Sequence, residues 1–216
     1  FWAVPKMTAA ANPKRTGPKA QHAAAVDEPK NDWPAFARLS VVILCRSVAM
    51  SGTLAFVPLF CIDKFGISEA FSSTLLTFLC LCGAVMTAAG GWLTDRVGLV
   101  RACKLGYILM GPAFALMLAA PSVWWVYPLM VVLSFTLNAT YAAFVVLGQS
   151  YLAKNVGFAS GVTMGLSSSL GGMLVPLLGL LADAYGIEFV IGALAAIGVL
   201  CAASSFFLTD PKQRQP

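Results

Sequence analysis

Arg46 is the residue in this chain whose type and setting point most directly to chemistry. It stands in the apolar stretch 39–63, about 12 Å along the axis of a helix starting at residue 39. A guanidinium at that depth costs several kcal/mol unless it faces protein, water or an anion. Its planar fork suits bidentate capture of a phosphonate or carboxylate. A second reading is a structural tie to backbone carbonyls or to Asn138. The stretch 123–148 carries a polar run, Ser134, Thr136, Asn138, Thr140 and Tyr141, with Gln149 just beyond it. Asn138 and Tyr141 are three residues apart and so are expected to share a helix face. They line an aqueous cavity opposite Arg46, or they make hydrogen bonds between helices.

Two further segments look alike. Gly91-Trp92-Leu93-Thr94-Asp95-Arg96-Val97-Gly98 and, 88 residues on, Gly179-Leu180-Leu181-Ala182-Asp183-Ala184-Tyr185-Gly186 each close an apolar run with an acid before a glycine. The first is expected to be a short loop holding an acid, a base and a glycine turn. The nucleophile–base pairs, phosphate loops and metal-ligand clusters of enzymes are not found, so neither catalysis nor a cofactor is expected. The cysteines Cys45, Cys61, Cys80, Cys82, Cys103 and Cys201 lie in or at the ends of apolar runs, as small packing residues do.

These residues need membrane-spanning elements to position them. The chain has 216 residues, 59% hydrophobic and 11% charged, where soluble domains carry about 25% charged residues. Six apolar runs, 39–63, 69–93, 102–120, 123–148, 157–182 and 187–208, approach or exceed the roughly 20 residues needed to cross a bilayer. They are continuous, not alternating, which favours helices over a barrel. The fold class is therefore all-α integral membrane. Residues 1–35, rich in Ala, Pro and Lys and including His22, read as a disordered cytoplasmic linker. Residues 36–209 form the bundle and 210–216 a cytoplasmic tail.

Lys30, Arg38, Arg96, Arg101, Lys104, Lys154, Lys212 and Arg214 fall on one side of six alternating spans, and Lys64 alone falls on the other. Positive residues stay inside, so both termini are expected to be cytoplasmic, at the plasma (inner) membrane. The net charge of +5 thus reports topology and needs no nucleic-acid partner. The glycine-bearing ends close spans two and five, which makes spans one to three and four to six inverted repeats. Gly157, Gly161 and Gly165 form a small-residue stripe for helix packing, and Pro176 is expected to kink the same span. Trp124, Trp125 and Tyr127 read as interfacial anchors. No Asp or Glu lies in the middle of a run, so a proton carrier is not evident in this chain.

Gly91-x-Leu93-Thr94-Asp95-Arg96-x-Gly98 resembles the signature loop of the major facilitator superfamily, between the second and third helices of a six-helix half. Leu44-Cys45-Arg46-Ser47, Gly148-Gln149-Ser150-Tyr151-Leu152, Val156-Gly157-Phe158-Ala159-Ser160-Gly161 and Leu170-Gly171-Gly172 through Pro176 to Gly186 resemble its fosmidomycin-resistance branch. The resemblance implies the C-terminal half of a twelve-helix transporter, with residues 1–35 joining it to an N-terminal half. Initiation at Met7 would instead leave a six-span protein. It also implies proton-coupled export of a drug or small anion by alternating access, with Arg46, Asn138, Tyr141 and Gln149 on the cavity. Asp95, between Gly91 and Gly98, would latch the other half, steadied by Arg96 and Arg101. Leu99-Val100 replaces the usual basic pair there, which weakens that latch. A metabolite transporter of the same superfamily and a non-transporting six-span scaffold or sensor are the alternatives.

Overall fold

A computed structural model describes residues 31–208. Six helices cross the length of the bundle: α1 (Trp33–Phe65), α2 (Glu69–Val97), α3 (Leu99–Leu118), α4 (Val123–Tyr151), α5 (Val156–Tyr185) and α6 (Ile187–Phe206). Each is long and apolar enough to span a membrane. Residues 1–30, His22 among them, and 209–216 lie outside the described residues, so they cover most of the expected linker and all of the expected tail.

Helix ends differ from the expected limits for local reasons. α1 starts at Trp33 because the Asp32 side chain accepts from the Ala35 N–H at 3.1 Å and Pro34 occupies the first turn. The Asp32 N–H also donates to the Tyr151 carbonyl at 2.8 Å, joining this start to the end of α4. The loop expected around Asp95 is a single residue. α2 continues to Val97, and Gly98 alone links it to α3 with φ 89° and ψ 155°. That positive φ, open to glycine, lets the chain change direction at one position. Asp95 and Arg96 therefore lie in the last turn of α2.

The repeat is visible in backbone geometry. Gly186, 88 residues after Gly98, links α5 to α6 with φ 89° and ψ 161°. The N–H of Gly98 closes on the Thr94 carbonyl at 2.9 Å, and that of Gly186 on the Ala182 carbonyl at 2.8 Å. The same spacing recurs in an interhelical bond. Ser134 Oγ donates to the Leu79 carbonyl at 3.1 Å, and Ser47 Oγ to the Ser167 carbonyl at 2.9 Å. Leu79 and Ser167 are again 88 residues apart. α3 crosses α6 at Gly111 and Gly198, where a Cβ on Gly198 would lie 2.8 Å from the Gly111 nitrogen. A helix meets its own symmetry copy at equivalent positions, and these glycines are 87 residues apart.

α1, α3 and α4 form the interior, through side chains such as Ile43, Val57, Tyr107, Phe114, Leu133 and Phe144. Only 22% of the apolar window of α2 and 11% of that of α5 are buried, against 56% for α1, so the first two present open faces. Lipid tails are as apolar as leucine, which leaves close van der Waals contact and hydrogen bonds to hold the helices together. A Cβ on Gly90 would lie 2.2 Å from the Ala139 carbonyl oxygen, and one on Gly171 2.3 Å from that of Ser47. By contrast, nothing among the described residues comes within 4 Å of a Cβ placed on Gly157, Gly161 or Gly165. Their expected packing partner is not in the described part of the chain. Pro176 lies on the exposed side of α5, ten residues beyond the start of a wide π-helical turn at Leu166–Leu170. α4 contains a matching interruption at Phe135–Ala139.

Candidate functional site

The two π-helical turns meet at Arg46. This arginine is 3% exposed, 13 residues from the start of α1, or about 20 Å along the helix. Its Nη1 donates to Ser167 Oγ in the turn of α5 at 3.1 Å, and its Nη2 donates to the Leu137 carbonyl in the turn of α4. The guanidinium carbon lies 5.5 Å from the centre of the Tyr141 ring and 5.0 Å from that of Phe144, within cation–π range. Arg46 Nε has no hydrogen-bond partner among the described residues. The Lys64–Glu188 ion pair, at 3.9 Å, lies at the far end of α1. The hydrogen-bond partners of this buried charge are thus neutral, and one of its N–H groups is left over.

Ser47 works beside it. Its Oγ donates to the Ser167 carbonyl at 2.9 Å and accepts from the Gly171 N–H at 2.9 Å. Residues 167 and 171 are four apart, so in a regular α-helix these two backbone groups would bond to each other. The hydroxyl stands between them instead, at the place where α5 is wide.

One turn further along α1, Met50 and Leu54 wall a recess of about 290 Å³ together with Leu79, Cys80, Gly83, Ala84 and Thr87 of α2 and Leu137 and Asn138 of α4. Its walls are apolar, with Asn138 and Thr87 supplying polar groups. Asn138 Nδ2 donates to the Ser134 carbonyl at 3.1 Å.

The four residues expected around one cavity are thus separated. The structure brings Arg46 and Tyr141 together, and it sets Asn138 in the recess wall without either of them. The π-helical turn between Ser134 and Thr140 explains this. Its wider winding breaks the 3.6-residue spacing that would have stacked Asn138 and Tyr141 on one face. Gln149 lies elsewhere, where its Nε2 donates to Ser160 Oγ across the α4–α5 junction at 2.9 Å. At the α2–α3 junction, Asp95 in the last turn of α2 and Arg101 in the first turn of α3 are exposed. Arg96 stacks 4.4 Å over the Trp92 ring, away from any pairing with Asp95. Gly91 has open space where a side chain would be.

Sequence reasoning gave no role to Ser47 or Gly171 and missed the recess residues Met50, Cys80 and Thr87. The one available signal was the seven-residue interval between Gly83 and Gly90, which puts two small residues on a single face of α2.

Six bilayer-length helices in two inverted three-helix repeats, with a polar break midway along two of them, define a membrane bundle of the secondary-transporter type. The Major Facilitator Superfamily family model matches residues 3–176 and 39–216. The chain belongs to that superfamily. It is 28% identical over 176 residues to the fosmidomycin resistance protein of Escherichia coli K12, covering 82% of this chain and 43% of that protein. It is also 28% identical over 160 residues to the uncharacterized MFS-type transporter YfnC of Bacillus subtilis 168, covering 74% and 39%. The chain therefore spans less than half the length of these relatives. Among solved structures it resembles FucP, an MFS transporter in the outward conformation, with TM-score 0.72 and 16% identity over 82% of this chain and 42% of that one. The POT family transporter PepTSo matches with TM-score 0.73 and 13% identity, covering 82% and 37%.

Proposed function

We propose that this chain is the C-terminal half of a secondary transporter that exports a small amphipathic or anionic compound by alternating access. The observation that carries this reading is the recess midway along the bundle, between α1, α2 and the wide turn of α4. Apolar walls with two polar groups suit a compound that is partly apolar. Asn138 orients the compound, and Arg46, behind Leu137 and Tyr141, supplies the positive field that draws an anionic group. Gln149 serves as a tie between α4 and α5.

A second six-helix unit, preceding this one in the same chain, covers the open faces of α2 and α5 and completes the cavity. Exposed Asp95 contacts that unit as a latch, with Arg101 beside it. Coupling to protons uses an acid of the other unit. Both termini and the α2–α3 link face the cytoplasm, in keeping with the distribution of basic residues.

The relative named for fosmidomycin resistance sets the test. Expressing the full-length protein in a fosmidomycin-sensitive bacterium should raise the inhibitory concentration at least fourfold, and Asn138→Ala should return it to the control value at equal protein level. Unchanged sensitivity with well-expressed wild type overturns the drug-export reading. Uptake of labelled sugars and organic acids into vesicles then tests a metabolite in its place.

A further inference from the structure

The hydroxyl of Ser47 bonds to both backbone groups that a regular α-helix would pair with each other, the Ser167 carbonyl and the Gly171 N–H, and this gives α5 two available forms. We propose that α5 is a two-state helix whose wide turn at Leu166–Leu170 is held open by Ser47, and that Ser47 is a positioning residue for the movement of its distal half. In the structure the hydroxyl satisfies both backbone groups, accepting from Gly171 N–H and donating to the Ser167 carbonyl. When α1 withdraws, both groups lose the hydroxyl they share. Closing on each other is the nearest remedy, and it converts the wide turn to regular α-helix. Going from about 4.4 to 3.6 residues per turn over this segment rotates the distal half of α5 by on the order of a quarter turn.

Three independent features support this assignment. Gly171 is the one residue type that admits the approach, since a Cβ there would lie 2.3 Å from the Ser47 carbonyl and 2.6 Å from its Oγ. Arg46, adjacent on α1, holds the Ser167 hydroxyl at 3.1 Å, so two consecutive residues of one helix grip the same turn of another. Finally, Ser167 lies twelve residues from the start of α5 and Arg46 fourteen from the start of α1 when both ends are counted, so the grip falls deep within both helices. The symmetry-related bond, Ser134 Oγ to the Leu79 carbonyl, lies against regular helix in α2 and inserts into nothing. The device therefore belongs to α5 alone, and its asymmetry allows one repeat to move against the other.

The test needs no substrate, so it stands apart from the transport reading. Full-length protein, with its native cysteines replaced, is put into lipid nanodiscs. Spin labels go on exposed positions: Leu116 with Leu180 beyond the wide turn, and Leu105 with Phe158 before it. In Ser47→Ala the distal pair should shift by at least about 3 Å, the scale of a quarter turn on a helix roughly 10 Å across, while the proximal pair stays fixed. Ser167→Ala keeps the carbonyl that Ser47 uses and should leave both pairs as in wild type. If Ser47→Ala does not fold, Ser47→Cys replaces it, and its weaker thiol donor should give a mixture of both distal distances. An unshifted distal pair in the serine variant, or an equal shift in Ser167→Ala, overturns the proposal.

Discussion

At the scale of the residue, Arg46 is close to energetically neutral. Placing an arginine midway along a spanning helix costs about 2.5–3.5 kcal/mol on insertion scales. Against this stand hydrogen bonds to Ser167 and Leu137, each about 0.6–1.7 kcal/mol in a membrane. The Tyr141 and Phe144 rings add up to about 2 kcal/mol when desolvated. Arg46→Met keeps the apolar stem and removes the charge. It should leave stability within about 1 kcal/mol of wild type, a thermal midpoint shift of a few degrees, while reducing transport at least tenfold. Thermal unfolding in detergent beside vesicle transport checks this, and a fall of ten degrees or more would make the arginine a strut instead. The burden of this charge was readable from its apolar neighbours. A backbone carbonyl was one partner the sequence reading offered, but which residues supply the partners was not readable, because they lie 91 and 121 residues away, in turns whose wide winding leaves no mark in a 3.6-residue pattern. Ser47, a small residue in an apolar run, gave no sign of its role.

At the scale of the element, the number of helices was written in the lengths of the apolar runs, and the repeat in the two glycine-terminated ends. Which glycines pack was harder to read. The interval Gly157, Gly161, Gly165 has the right periodicity, yet it faces open space, whereas Gly90 meets the α4 backbone. Periodicity identifies a smooth face and is silent on what lies against it. The two cases separate under the same substitution. Gly90→Ala drives a methyl into the Ala139 main chain, which cannot rotate aside. Overpacking of this kind costs about 1–3 kcal/mol, so the folded yield and thermal midpoint of the full-length protein should fall. Gly161→Ala adds a methyl to an open groove and should leave the midpoint of this six-helix unit unchanged. An unchanged midpoint in Gly90→Ala would mean that the α2–α4 contact is looser than the structure has it.

At the scale of the whole molecule, the distribution of burial decides what surrounds the bundle. A face turned to lipid gains nothing from small or polar side chains, which forgo dispersion contacts and leave hydroxyls in hydrocarbon. The open face of α5 carries Gly157, Gly161, Gly165, Ser168, Ser169 and Gly172, all exposed. On the open side of α2 the exposed residues include Ser73, Thr74, Thr77 and Thr87. Such surfaces are matched by another helix backbone at close range. The relatives, more than twice as long as the matched region, leave room for a second six-helix unit. Gly161→Leu fills that approach with an isobutyl group while touching nothing within this unit. If this unit and the proposed second unit are produced as separate tagged chains, the wild-type units should co-purify and the variant should lose most of that recovery. Its own six-helix fold, followed by gel-filtration profile and helical circular dichroism, should be unaltered. Retained association would place the stripe against lipid and move the interface to another face of the bundle.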